Sequence, residues 1–225
     1  MLLSIAYFPT VGYFALLAKS PTVFIEAKEN YIRQTWRNRC RILSANGPLD
    51  LNFPIVHDGS RLITEVKVDY STPWLEKTMQ AIDSAYFSSP FFEYYRDELY
   101  SVLKERPERL WDLDMRIMRF FVGKIGLGVN LCPTSEFLSP GTVEDDYRYS
   151  LSPKRPSDYA GRAYWQVFRD RFGFVSDLSV MDLLFNEGPE SICWLCFLFV
   201  PVAADWCGYV FLAESSCEEG VVVLV

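Results

Sequence analysis

The sequence predicts an α/β fold: a mixed sheet that begins with a βαβ unit, continues as a hairpin meander and is covered by helices. Three observations carry this reading. Strand-like, helix-like and strand-like segments follow one another within residues 1–27, turn signals at Asn46-Gly47-Pro48 and Asp58-Gly59 separate alternating runs, and helical periodicity dominates from Trp74 to Gly126. With 225 residues, half of them hydrophobic, the chain is long enough to bury a full core. Residues 1–191 read as one α/β domain and residues 192–225 as an atypical apolar tail.

Taken in order, residues 1–8 form an apolar run stopped by Pro9, residues 11–20 have a helical pattern, and TVFIEA (22–27) follows Pro21 as a second strand. The next strand is LDLNFPIV (49–56). After Asp58-Gly59, LITEVKV (62–68) alternates, with Leu62, Thr64, Val66 and Val68 on one face. Thr72 and Pro73 then supply a cap and first-turn proline for a helix led by Trp74, whose apolar stripe is Trp74, Met79, Ile82, Ala85 and Tyr86. Pro90 divides it from a second helix, and residues 109–126 form a third. Residues 130–158, rich in Ser, Pro, Asp and Gly, read as a long loop, and loops of that length are more often functional than structural. Residues 164–172 and 178–185 look helical, with Asn186-Glu187-Gly188-Pro189 as a stop.

Charge and composition exclude several functions. The net charge of −7 argues against broad nucleic-acid binding, which needs a basic face. A single histidine, His57, rules out a histidine-based metal cluster and leaves a Ser-His-Asp triad without a recognisable nucleophile motif, so acid–base work falls to Glu, Asp, Tyr or Lys. No metal or cofactor is expected: the acidic run Glu144-Asp145-Asp146 reads as a solvated loop, and the Cys193/Cys196 spacing sits in surroundings too apolar for zinc. The N-terminus lacks a basic region and a cleavage site, so the expected compartment is the cytoplasm. Residues 192–213 are apolar and long enough to span a membrane, but Pro201, Gly208 and Asp205 interrupt them and no Lys or Arg flanks them, which favours a buried or appended segment over membrane contact.

The segment 26–42, EAKENYIRQTWRNRCRI, carries four arginines and is the strongest candidate for a site. If it is extended, Arg37, Arg39 and Arg41 leave one face, where forked guanidiniums suit a phosphate or carboxylate. The alternative is a solvated face whose arginines pair with acidic residues elsewhere. On the first reading Arg33, Arg37 and Arg39 hold an anionic small molecule such as a nucleotide sugar, Asn38 hydrogen-bonds it, and Tyr31 or Tyr7 stacks on it. Glu26 is the candidate general base, because it ends the second strand where ligand crevices of α/β sheets form; an ion pair to an arginine is the alternative role. Asn186 and Glu187 are candidates to line the same crevice.

The pieces AYFPTVGYFALL (6–17), the run 26–43 with WRNRCRI, NGPLDLNFPI (46–55), PWLEKTMQAIDSAYFSSPFFEYYRDEL (73–99) and WQVFRDRFGFVSDLSVMDLLFNEGPES (165–191) together resemble the WbqC-like family of bacterial proteins. The resemblance implies an association with surface polysaccharide or O-antigen biosynthesis and a transferase role there. A non-catalytic binding or scaffold protein of a polysaccharide assembly system is the other expectation. It is favoured by two departures from the family pattern: relatives carry a His-Gln-Pro motif on the first strand, where this chain has Ala6-Tyr7-Phe8-Pro9, and a histidine where it has Thr78. From Trp194 onward the chain also ceases to look like the family.

Overall fold

A computed structural model of the protein describes residues 1–154, 159 and 161–196. Leu2–Leu3 (β1) is too short to stand alone and is held on both edges. It pairs in parallel with Thr22–Ile25 (β2), Leu2 opposite Phe24 and Leu3 opposite Ile25. On its other edge Leu2 donates to Asp145 O (2.8 Å) and accepts from Tyr147 N (2.9 Å). The helix Val11–Leu17 (α1) links the two strands, started by the Thr10 hydroxyl, which accepts from Tyr13 N. Phe8, at φ 42°, turns the buried chain between strand and helix. The expected βαβ unit is therefore present.

Arg39–Ser44 (β3) and Gly47–Asn52 (β4) form an antiparallel hairpin turned at Asn46-Gly47, where Gly47 takes φ 106°. This hairpin is a sheet of its own, separate from the parallel one. The second limb of the expected meander, residues 62–68, is not a strand. It contributes only single bridges, Asn30 to Leu62, Ile55 to Val68 and Lys67 to Arg109. A local turn explains the loss of alternation: Glu65 N and Val66 N both donate to Leu62 O, and Ile63, Val66 and Val68 become the buried set.

Within the stretch expected to be loop, Asn130–Pro133 (β5) completes the parallel sheet in the order β1-β2-β5, Ile25 facing Pro133. Its brevity and Pro133 conceal it in a Ser- and Pro-rich context. The helices Trp74–Tyr86 (α2), Phe92–Lys104 (α3) and Leu110–Ile125 (α4) cover the core as expected, α4 ending at Gly126 in the left-handed conformation. Thr72 does not cap α2; Pro73 takes the cap position without a side-chain hydrogen bond.

The expected helix over residues 164–172 shrinks to Arg169–Phe172 (α5). Gln166 is the reason: its Nε2 donates to Val175 O (2.9 Å) and Asp182 Oδ2 (2.8 Å), its Oε1 accepts from Val175 N (2.9 Å), and these bonds hold extended backbone in place of a helix. Val180–Glu187 (α6) and Ser191–Cys196 (α7) follow. No helix among the described residues is long and apolar enough to cross a membrane. The segment weighed for membrane contact lies outside the described residues from 197 onward, as do Cys207 and Cys217.

Asp182 is fully buried and accepts from Tyr164 Oη (2.7 Å) and Gln166, yet burial pushes its carboxyl up to about 6. An unfolded aspartate titrates near 4, so the folded state binds this proton more tightly, and its contribution to stability falls as pH rises from about 4 through about 6. The gap of about two units corresponds to roughly 3 kcal/mol. Asp182→Asn lacks this titration. Urea unfolding across that window is expected to shift in favour of the variant, relative to wild type, by about that amount as pH rises.

Candidate functional site at the carboxyl end of the parallel sheet

The last paired row of the parallel sheet is Leu3, Ile25 and Pro133. One residue further on, the strands therefore deliver Ser4, Glu26 and Thr134 side by side. In α/β sheets this end is where ligand crevices form. All three side chains are buried.

Glu26 is saturated. Its Oε1 accepts from Thr134 Oγ1 (2.6 Å) and Lys28 N (2.9 Å), and its Oε2 from Arg148 Nη1 (2.8 Å) and Leu138 N (3.3 Å). These four bonds fill a carboxylate's acceptor directions. Arg148 comes from the loop after β5 and forks onto Asp146, Nε to Oδ1 (2.9 Å) and Nη2 to Oδ2 (2.7 Å). Those bonds hold Asp146 below the usual carboxylate range. The Arg148 guanidinium also lies over the rings of Phe137 (5.4 Å) and Tyr149 (5.5 Å).

A second buried pair adjoins the first. Arg37 donates from Nε to Glu29 Oε1 (2.9 Å) and from Nη2 to Glu29 Oε2 (2.6 Å), and Nη2 also reaches Ser4 Oγ (2.7 Å). Ser4 Oγ in turn donates to Glu29 Oε2 (3.2 Å). Burial raises the Glu29 carboxyl above its ordinary value, opposed by its bonds to Arg37 and Ser4. Arg37 Nη1 makes no hydrogen bond to the described residues. Behind this pair Asp114 is fully buried on α4 with neither carboxyl oxygen hydrogen-bonded, and burial pushes it well up despite the charge of Arg37.

Ser4, Tyr13, Trp36, Arg37, Tyr147 and Arg148 line a cavity of about 20 Å³ here, room for about one water. The Tyr13 hydroxyl donates to Ser4 O (2.8 Å), which fixes one wall. Tyr147 and Arg148 form the cover, so the loop bonded to β1 closes the crevice.

Of the residues singled out from sequence, the structure brings Glu26 and Arg37 together here. The segment 26–42 is not one extended strand: β3 begins only at Arg39, and Arg37 turns inward. Arg39 and Arg41 share the outer hairpin face and both engage Asp50, at 3.5 Å and 2.6 Å, as the alternative reading of paired arginines holds. Arg33 is exposed, with Nη2 3.5 Å from His57 Nδ1. Asn38 donates to Phe53 O (2.9 Å), Tyr31 is half-buried, and Tyr7 is wholly buried against Phe8 and Phe53. Asn186 donates to Asp182 O (2.7 Å), and Glu187 accepts from Trp165 N (3.0 Å), so both serve the α6 region. Among the described residues no group of three metal-ligating side chains occurs. Sequence reasoning missed Ser4, Glu29, Thr134, Asp146 and Arg148. The usable signals were weak ones: Glu29 three residues after Glu26, and Arg148 between two tyrosines.

The sequence model of the WbqC-like protein family matches residues 6–152. The chain belongs to that family. The matched span holds every charged residue of the crevice and stops just short of Ser4. The uncharacterized protein Rv1507c of Mycobacterium tuberculosis (strain ATCC 25618 / H37Rv) is similar, 26% identical over 216 residues, covering 82% of this chain and 92% of that protein. No solved structure matches.

Removing Arg148 leaves Glu26 charged and buried without its cation. Arg148→Ala is expected to cost about 3–5 kcal/mol in urea unfolding, and the double variant Glu26→Gln/Arg148→Met to recover most of that loss.

Proposed function

We propose that this WbqC-like protein is a transferase of bacterial surface polysaccharide (O-antigen) assembly that takes an anionic donor, such as a nucleotide sugar, in the crevice at the carboxyl end of its parallel sheet. The observation that carries the reading is the hydrogen-bonded chain Arg37–Glu29–Ser4, ending at the cavity wall. Glu26 accepts four bonds and has no lone pair to offer, so its role is to hold Arg148 and Thr134. Glu29, raised by burial and hydrogen-bonded to Ser4 Oγ, is the better base. As an acceptor hydroxyl attacks the anomeric carbon, its proton passes to Ser4 Oγ while the proton of Ser4 passes to Glu29. The new C–O bond forms as the bond to the leaving phosphate breaks, and the nucleoside diphosphate departs with the electron pair. Arg37 Nη1 and Arg148 supply the donors for that phosphate. Entry requires the loop bearing Tyr147 and Arg148 to swing away, because a nucleotide sugar needs a few hundred Å³.

A non-catalytic binding subunit is the second reading, favoured by the pairing of both crevice arginines with carboxylates. The two are separated by thermal-shift and turnover assays of wild type and Glu29→Gln against nucleotide sugars and acyl-CoA donors. A true donor at ~100 times its dissociation constant adds about 2.7 kcal/mol of apparent stability. For a transferase, Glu29→Gln retains this shift and loses about 100-fold or more in turnover. A donor that binds wild type without turnover with any acceptor supports the binding subunit. Failure of every donor to stabilise the folded protein overturns both.

A further inference from the structure

At the opposite, amino end of the sheet lies a groove of about 490 Å³, within the size range of small-molecule sites. Its lining comes from the start of β2 (Thr22), the edge strand β5 with the residue before it (Val129–Cys132), and one face of α4 (Arg119, Val122, Gly123). Gly123 is part of that lining and leaves it open. A glycine in a helix interior is unfavourable, and nothing lies within 4 Å of where its Cβ would stand, so a side chain there has room beside the groove.

One turn before Gly123, on the same face, stands Arg119. Its neighbours are compensated: Arg116 pairs with Glu105, and Lys124 with Glu98. Arg119 makes no ion pair or hydrogen bond with the described residues, and neither do the side chains of Thr22 and Asn130. Asn130 N donates to Pro21 O, just before β2, and Thr134 N to Ile25 O at its end, so by alternation the Leu131 N–H faces outward along the free edge. Arg119, Thr22, Asn130 and the strand edge at Leu131 thus line the groove together with Val122 and Val129, on a protein whose net charge is −7.

We infer that this groove binds a small anion with a short apolar body, a phosphate monoester or a carboxylate, held by Arg119 and seated over Gly123. The site is independent of the crevice, and its test does not require that reading. Cys132 lines the groove as a free thiol and serves as the reporter. Its alkylation, followed by peptide mapping, is measured with phenyl phosphate, benzoate or inorganic phosphate at matched ionic strength. Phenyl phosphate or benzoate is expected to protect Cys132 and leave the exposed Cys193 reactive; whichever protects at lower concentration identifies the anion class. Arg119→Ala is expected to weaken protection about tenfold or more, as loss of a charged hydrogen bond does. Gly123→Leu is expected to abolish protection while raising the melting temperature. The inference is overturned if no probe protects Cys132, if protection survives both substitutions, or if inorganic phosphate protects as well as phenyl phosphate.

Discussion

The ion pair between Glu26 and Arg148 is the contact on which the rest of the crevice depends. Both side chains are completely buried, 122 residues apart in sequence. Taking two charges out of water costs several kcal/mol each, and the pair survives because neither partner has an unmet bond of consequence: Glu26 accepts four times, and Arg148 forks onto Asp146 between two aromatic rings. The parallel sheet has strands of only two and four residues. Such short strands hold little register by themselves. The pair fastens the loop after β5 onto the end of β2, and the same loop supplies the second edge of β1, so sheet and cover are ordered together.

Apolar residues of similar volume often replace buried ion pairs without loss, so the charges here are poor stabilisers for their cost. Their effect is on geometry. Paired guanidiniums and carboxylates hold Ser4 and Glu29 at fixed positions beside the cavity, which is the preorganisation that the proposed site would require. Asp114 extends the pattern, an unbonded buried acid behind Arg37 whose carboxyl burial pushes well up.

Much of the fold was legible in the sequence because it rests on local signals. The βαβ opening follows from Pro9, Pro21 and the apolar runs between them, the hairpin from Asn46-Gly47, and α4 from its period and the glycine that ends it. What escaped depends on distant partners. Residues 62–68 alternate like a strand but find no neighbour to pair with along their length, while the unremarkable Asn130–Pro133 finds β2. The arginine-rich segment shows the same limit. Alternation would put Arg37 with Arg39 and Arg41 only if the strand began at Arg37; it begins two residues later, and one inward turn assigns Arg37 to Glu29 while the others go to Asp50. Residue types announced an ionic site, but no local pattern could say which carboxylate each arginine would meet.

That difference in partnering sets how the two proposed anion sites would respond to a ligand. In the crevice three carboxylates, Glu26, Glu29 and Asp146, face two guanidiniums, so an incoming phosphate gains only what remains after Arg148 gives up bonds it already makes. Under the proposed function, binding there is coupled to loop opening and is selective for ligands with enough additional contact to offset the exchange. Arg119 surrenders no such bond, so an anion in the groove draws directly on its charge, at an exposed position that salt screens over about 8–10 Å. Affinity in the groove therefore falls as ionic strength rises, whereas the buried crevice, closed off from mobile ions, is governed by the energy of its own ion pairs.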